Sequence, residues 1–190
     1  MNNYNLIVKQ DQYPESPRKW DNLGTFIMQH RRCEFGDRLF ETDDNSVSFK
    51  EDFKHHLNYV EDCSINNVIY LPVYMYDHSG ITVSTTPFSC NWDSGQIGYI
   101  YATKEKIRNE YNVKRISNKL KNTALSVLES EIKLLDNYLT GNMYCYELYK
   151  DNNLIDSCCG FYGNDFKEQM KEGLPKKIHK LLEQTEVTYE

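Results

Sequence analysis

The chain has 190 residues, 39% of them hydrophobic and 13% aromatic, and a formal net charge of −6. A chain of that length can bury roughly two thirds of its unfolded surface in one core, which excludes global disorder and removes the need for covalent staples. The negative balance argues against direct nucleic-acid binding, which relies on clustered Lys and Arg displacing counterions, and no run approaches the roughly 18–20 apolar residues that cross a bilayer.

From the start, Tyr4 to Val8 alternates polar and apolar residues before Asp11, Pro14 and Pro17, the pattern of a short strand entering a loop. Gly24 precedes the apolar cluster Phe26, Ile27 and Met28 and marks a turn or a close backbone approach. Arg31, Arg32, Glu34, Asp37 and Arg38 then return to solvent, and Glu41 to Ser48 is polar and turn-like. Phe49, Phe53, Leu57 and Val60 recur as the stripe of an amphipathic helix with Ser48 as its N-cap. Val68 to Met75 reads as a buried strand in which Pro72 signals an edge or a bulge, and Ile81 to Thr85 follows across a Gly-containing hairpin loop.

Ile97 to Tyr101 reads as a third strand, after which Thr103 caps a helix to about Tyr111. Ile116, Leu120, Ala124, Val127, Leu128, Ile132, Leu135 and Leu139 share one face of the longest helix, with Gly141 just past its end. Met143 to Tyr149 and Leu154 to Cys158 form a hairpin across Asp151, Asn152 and Asn153, and one or two helices follow from Asp165. Short turns rather than helical crossovers join the strands, so the expected fold is α+β: a mainly antiparallel sheet with helices packed on it, including one long amphipathic helix, in a single domain spanning 1–190.

The segment Tyr76 to Tyr101 concentrates a carboxylate, an imidazole, a thiol, hydroxyls and a tryptophan between apolar strands, and loops held by a sheet are where such groups act. As a binding surface it offers Asp77, His78, Ser79, Thr82, Ser89, Trp92, Asp93 and Gln96. As a catalytic site it offers Cys90 as nucleophile, His78 as base and Asp93 or Asp77 as orienting carboxylate, since an imidazole-activated thiolate is the reactive form. Against catalysis, the local signatures of thiol enzymes and the serine elbow are missing. Trp92 with Tyr99 and Tyr101 is either a stacking platform for a base or ordinary core.

His30 with Cys33, His55 with His56, and Cys158 with Cys159 lack the spacings of zinc sites, and Asp43-Asp44-Asn45 lacks the glycine and glutamate of a calcium loop, so no metal is expected. No glycine-rich phosphate loop occurs, and no cofactor is expected. Cys33, Cys63, Cys90, Cys145, Cys158 and Cys159 read as reduced thiols. The acidic run through Glu34, Asp37, Glu41, Asp43, Asp44, Glu51 and Asp52 is either a hydrated surface or an imitation of a phosphate backbone. Met1 to Asn5 has neither a basic nor an apolar signal region, so the expected location is cytoplasmic and the expected partners exclude membranes.

Four stretches, Pro14 to Thr25, Tyr76 to Thr82 with Pro87 to Gly98, Tyr138 to Gly141, and Ser157 to Gly163, together resemble a family of small proteins encoded by bacteriophages and related mobile elements. The likeness runs from Asn3 to Asp165. It implies an early or accessory phage protein in the host cytoplasm, of the kind that binds and inhibits a host protein or complex such as a CRISPR effector or a restriction enzyme. It carries over no catalytic residue or ligand. Two alternatives stand beside inhibition, a cysteine-dependent hydrolase or transferase and a protein that sequesters a nucleotide signal; homo-oligomerisation stays open.

Overall fold

The computed structural model describes residues 3–40 and 48–189. Readings that rest on Glu41, Asp43, Asp44 and Asn45 lie outside those residues. In chain order the elements are β1 (Tyr4–Gln10), β2 (Thr25–Met28), β3 (Arg38–Leu39), α1 (Phe49–Tyr59), β4 (Val68–Asp77), β5 (Ile81–Ser84), β6 (Ser94–Thr103), α2 (Lys104–Glu110), α3 (Asn118–Leu139), β7 (Met143–Lys150), β8 (Asn153–Tyr162), α4 (Phe166–Gly173), α5 (His179–Gln184) and β9 (Val187–Thr188). The fold is α+β, and among the described residues the strands, mostly antiparallel, form two sheets of four and five strands. Among the described residues no helix is long and apolar enough to cross a membrane. The chain gathers into two compact units, Pro17–Asp136 and Met1–Ser16 together with Asn137–Glu190.

In the Pro17–Asp136 unit the sheet runs β3-β2-β6-β4-β5. Its central strand β6 is buried from Ile97 to Ala102 because successive side chains point to opposite faces and both faces are covered. Tyr99 and Tyr101 face α1, where Phe53 stacks on Tyr99 with ring centroids 4.5 Å apart and Leu57 completes the cluster. Ile100 points the other way, toward Gly24 and Leu128 of α3. Along α3 the buried apolar positions are Ala124, Leu128, Ile132 and Leu135, spacings of four, four and three that keep one stripe on the sheet.

Two glycines are fixed by close approach. A Cβ on Gly24 would lie 2.6 Å from Leu128 Cδ2 and 2.8 Å from Ile100 Cγ1, and one on Gly98 would lie 2.0 Å from the Ile27 carbonyl oxygen. Pro72 sits where β4 pairs only with β6, since β5 covers Tyr74 to Asp77 alone, and a register shift follows at Val73/Tyr74. An edge and a bulge therefore both accommodate the missing N–H.

Arg18 is the polar anchor of this unit. Its guanidinium grips Asp37 through Nε at 2.9 Å and Nη2 at 2.5 Å, Glu131 through Nη1 at 3.0 Å, and the Gly24 carbonyl at 2.8 Å. Glu131 also accepts from the Leu23 and Gly24 N–H groups, and Asp37 from the Phe26 N–H. Thus Arg18, Leu23 and Gly24, within the stretch Pro14 to Thr25, tie the entry of β2 to the middle of α3.

In the other unit the sheet order is β8-β7-β1-β9, with β9 parallel to β1 and the rest antiparallel. Leu6, Val8, Tyr146 and Leu148 on one face pack with Met170, Leu174, Ile178 and Leu182 from the C-terminal helices. The β7–β8 turn uses Asp151 and Asn152 at φ 49° and 68°, the double left-handed geometry that Asn and Asp tolerate. Cys145 and Cys159 are joined as a disulfide, which corrects the expectation that all six cysteines are reduced thiols. The two cysteines are 14 residues apart in sequence, and only the β7–β8 pairing makes them neighbours.

Candidate functional site

The polar segment is built from the ends of three strands. The β4–β5 turn holds Ser79 at φ 59°, with the His78 N–H donating to the Gly80 carbonyl at 3.2 Å. The returning loop is fastened at its end: the Asp77 N–H donates to the Asp93 carbonyl at 2.8 Å, and the Ser94 hydroxyl donates to the Cys90 carbonyl. Tyr76 carries aromatic neighbours on both sides, with Phe88 at 5.8 Å and His78 at 6.1 Å between ring centroids.

These constraints bring His78, Cys90 and Asp93 together, in an order that differs from a thiol enzyme. His78 Nδ1 lies 3.1 Å from Asp93 Oδ2, and Cys90 Sγ lies 4.0 Å from the same oxygen. Nucleophilic catalysis puts the imidazole between thiol and carboxylate so that it can take the proton; here the carboxylate is the shared partner. The His78 side chain is 64% exposed and that of Asp93 40% exposed, so solvent reaches both.

Beside this cluster the protein has a cleft of about 510 Å³. Asp77, Trp92, Asp93 and Gln96 line it, as do three residues that local sequence pattern assigns to solvent or to no site: His30, Arg31 and Arg32 after β2. Phe49 and Asp52 of α1 also line it. The antiparallel pairing of Met28 with Gly98 brings the segment after β2 beside the start of β6, which proximity in sequence cannot reveal. Arg32 pairs with Asp77. Arg31 is exposed and has no ion-pair partner among the described residues. Partial burial lowers the His30 pKa, and the Arg32 and Arg31 charges lower it further against the opposing pull of Asp77, which favours the neutral ring. Trp92 stands at the rim, 97% exposed.

The remaining predicted residues lie elsewhere. Thr82 donates to Asp136 Oδ1 at 2.5 Å, and the same oxygen accepts from the Val83 N–H at 2.8 Å. Thr82 therefore fastens β5 to α3 and is not a wall of the cleft. Ser79 and Ser89 are exposed outside it. Tyr99 and Tyr101 belong to the α1 core cluster and Trp92 does not, so the three form no stacking platform. The acidic run is also broken up: Asp37 is held by Arg18, Glu51 pairs with Lys54, and Asp52 is buried.

Comparison with protein-family models, with curated proteins and with solved structures yields no match for this chain.

Proposed function

We propose that the protein is a binding protein that inhibits a host factor, with the cleft bounded by Arg31 and Trp92 as its contact surface. The observation that carries this reading is the conjunction, at one polar cleft, of a tryptophan left 97% exposed with an arginine that has no ion-pair partner among the described residues. Trp and Arg supply much of the energy at protein interfaces, where a partner covers the indole and the guanidinium finds a planar acceptor. The carboxylate-centred order of His78, Asp93 and Cys90 gives catalysis no such support.

The resemblance to accessory phage proteins directs the choice of partner toward host defence, with CRISPR effectors and restriction enzymes as the first to try. Titration of purified effectors and restriction enzymes against the protein should give a saturable complex that Trp92→Ala weakens by about 30-fold or more, the scale of a hot-spot residue. An affinity unchanged in both Trp92→Ala and Arg31→Ala would overturn the assignment to this cleft.

The cleft volume favours a second reading, because about 510 Å³ falls within the range of small-molecule sites. A nucleotide signal would set its base against Trp92 and its phosphates toward Arg31. Thermal shift against a nucleotide panel tests it, since a ligand at about 100 times its Kd stabilises a fold by about 2.7 kcal/mol. A panel without any shift would remove this reading.

A further inference from the structure

In the unit formed by Met1–Ser16 and Asn137–Glu190, three adjacent strands bring Asp11, Cys145 and Cys159 together. Asp11 follows β1 and stays in line with it because its N–H donates to the Met143 carbonyl at 2.8 Å. Lys9 pairs with Cys145, so Asp11, two residues further along, projects to the same face of the sheet as Cys145. One ligand atom from each of the three residues lies within 4.8 Å of the others. This is the one such trio of His, Cys, Asp or Glu among the described residues.

We propose that these three residues form a redox-gated site for a thiophilic divalent cation of the zinc type, closed while the two sulfurs are bonded and open once they are reduced. Zinc–sulfur bonds of about 2.3 Å at tetrahedral angles place two thiolates about 3.8 Å apart, within reach of two cysteines whose Cα atoms lie 4.0 Å apart on neighbouring strands. Two thiolates and one carboxylate leave the fourth position to water, as in open zinc sites. One oxygen of the Asp11 carboxylate is held: its Oδ1 accepts from the Tyr13 N–H at 3.1 Å, while its Oδ2 has no partner among the described residues. That division, one oxygen braced and the other free, is how supporting hydrogen bonds orient a metal-ligating carboxylate. Cys145 is buried while Cys159 is exposed and Asp11 partly so, which gives the ion an entry from solvent.

An external dithiol supplies two electrons and two protons and becomes a disulfide, or a phosphine supplies two electrons and takes the oxygen of a water whose two protons go to the sulfurs; either way the Cys145–Cys159 bond breaks and two thiols form. The cation then displaces a proton from each thiol and binds the thiolates. Cys158 is a free, exposed thiol whose Sγ turns back to the Cys159 carbonyl, and it takes no part in the trio.

Cobalt(II) is the probe. Protein reduced with a phosphine and desalted should bind one Co²⁺ with thiolate-to-metal charge-transfer and tetrahedral d–d absorption, while oxidised protein, showing four titratable thiols when denatured, should show neither band. Asp11→Asn should weaken Co²⁺ binding at least about tenfold, the scale on which loss of a supporting or ligating group acts. Cys145→Ser with Cys159→Ser should abolish the charge-transfer band, and Cys158→Ser should leave it unchanged; circular dichroism of each variant checks that it folds. A band in the oxidised protein, no band in the reduced protein, or a band that survives the double serine variant or disappears in Cys158→Ser would overturn the proposal. So would an Asp11→Asn affinity equal to that of the wild type, a readout that holds even if the serine variants fail to fold.

Discussion

Replacing Arg18 with Met removes its hydrogen bonds to Asp37, Glu131 and the Gly24 carbonyl from a side chain only 6% exposed and leaves two carboxylates without their cation. Burial works against the guanidinium charge, but Asp37 and Glu131 outweigh it and hold the Arg18 pKa above its ordinary value. Breaking one side of a buried ion pair costs about 3–5 kcal/mol, because the charge left behind cannot regain its water. Glu131, 10% exposed, loses its cation but keeps the Leu23 and Gly24 N–H donors, and Asp37, 22% exposed, keeps the Phe26 N–H and recovers part of its hydration. The expected loss is therefore at the lower end, about 3 kcal/mol, or about 6–12 °C in Tm for a chain of this size. Urea unfolding followed by circular dichroism measures it at constant m-value. As a control, Lys54→Met breaks an exposed pair with Glu51 and should cost less than about 0.5 kcal/mol. An Arg18→Met loss below about 1 kcal/mol, or Arg18→Met and Glu131→Gln effects that simply add, would show that this network does not hold β2 to α3, since contacting groups in one network must couple.

Gly98→Ala places a methyl 2.0 Å from the Ile27 carbonyl oxygen, so β2 and β6 must separate; a loss of about 2–4 kcal/mol in urea is expected, and a variant as stable as wild type would contradict the close approach. Tyr146 has its pKa pushed up to about 12 by burial, by its hydrogen bond to Asp156 at 2.9 Å and by that carboxylate's charge. Its folded value lies above an unfolded value of about 10, so its contribution is complete below that pH and is lost between there and the folded value. Urea stability measured from about pH 8 to 11.5 should fall more steeply for wild type than for Tyr146→Phe, and parallel curves would count against the assignment.

The helices are legible in the sequence because a buried stripe leaves a direct mark on it. Phe53 and Leu57 in α1, and Ala124, Leu128, Ile132 and Leu135 in α3, follow from spacing alone and are buried. Thr103 likewise declares the start of α2, where its hydroxyl accepts from the Lys106 N–H at 3.1 Å. Long-range pairing leaves no such mark. The division of the strands between two sheets depends on β1 meeting β7, with Lys9 and Glu147 138 residues apart yet bonded at 2.5 Å.

The candidate site shows the same division. Asp77, His78, Cys90 and Asp93 stand out because they are dense within one short segment. Their order in space, with Asp93 between the thiol and the imidazole, depends on turn geometry at Ser79 and on the Ser94 anchor. His30, Arg31 and Arg32 escape a reading of local pattern because only the β2–β6 register brings them to the cleft. Thr82 is drawn out of the predicted binding set because alternation along β5 sends its hydroxyl to Asp136 of α3.

Binding through the Arg31–Trp92 cleft without catalysis by Cys90 is decided by phage plating on a set of hosts that each carry one CRISPR or restriction system. Wild type, Cys90→Ala and His78→Ala should all rescue plating, while Trp92→Ala with Arg31→Ala should lose rescue despite normal folding. Wild-type protein that rescues plating on none of these hosts, or rescue that vanishes with Cys90→Ala and survives Trp92→Ala with Arg31→Ala, would be the contrary result.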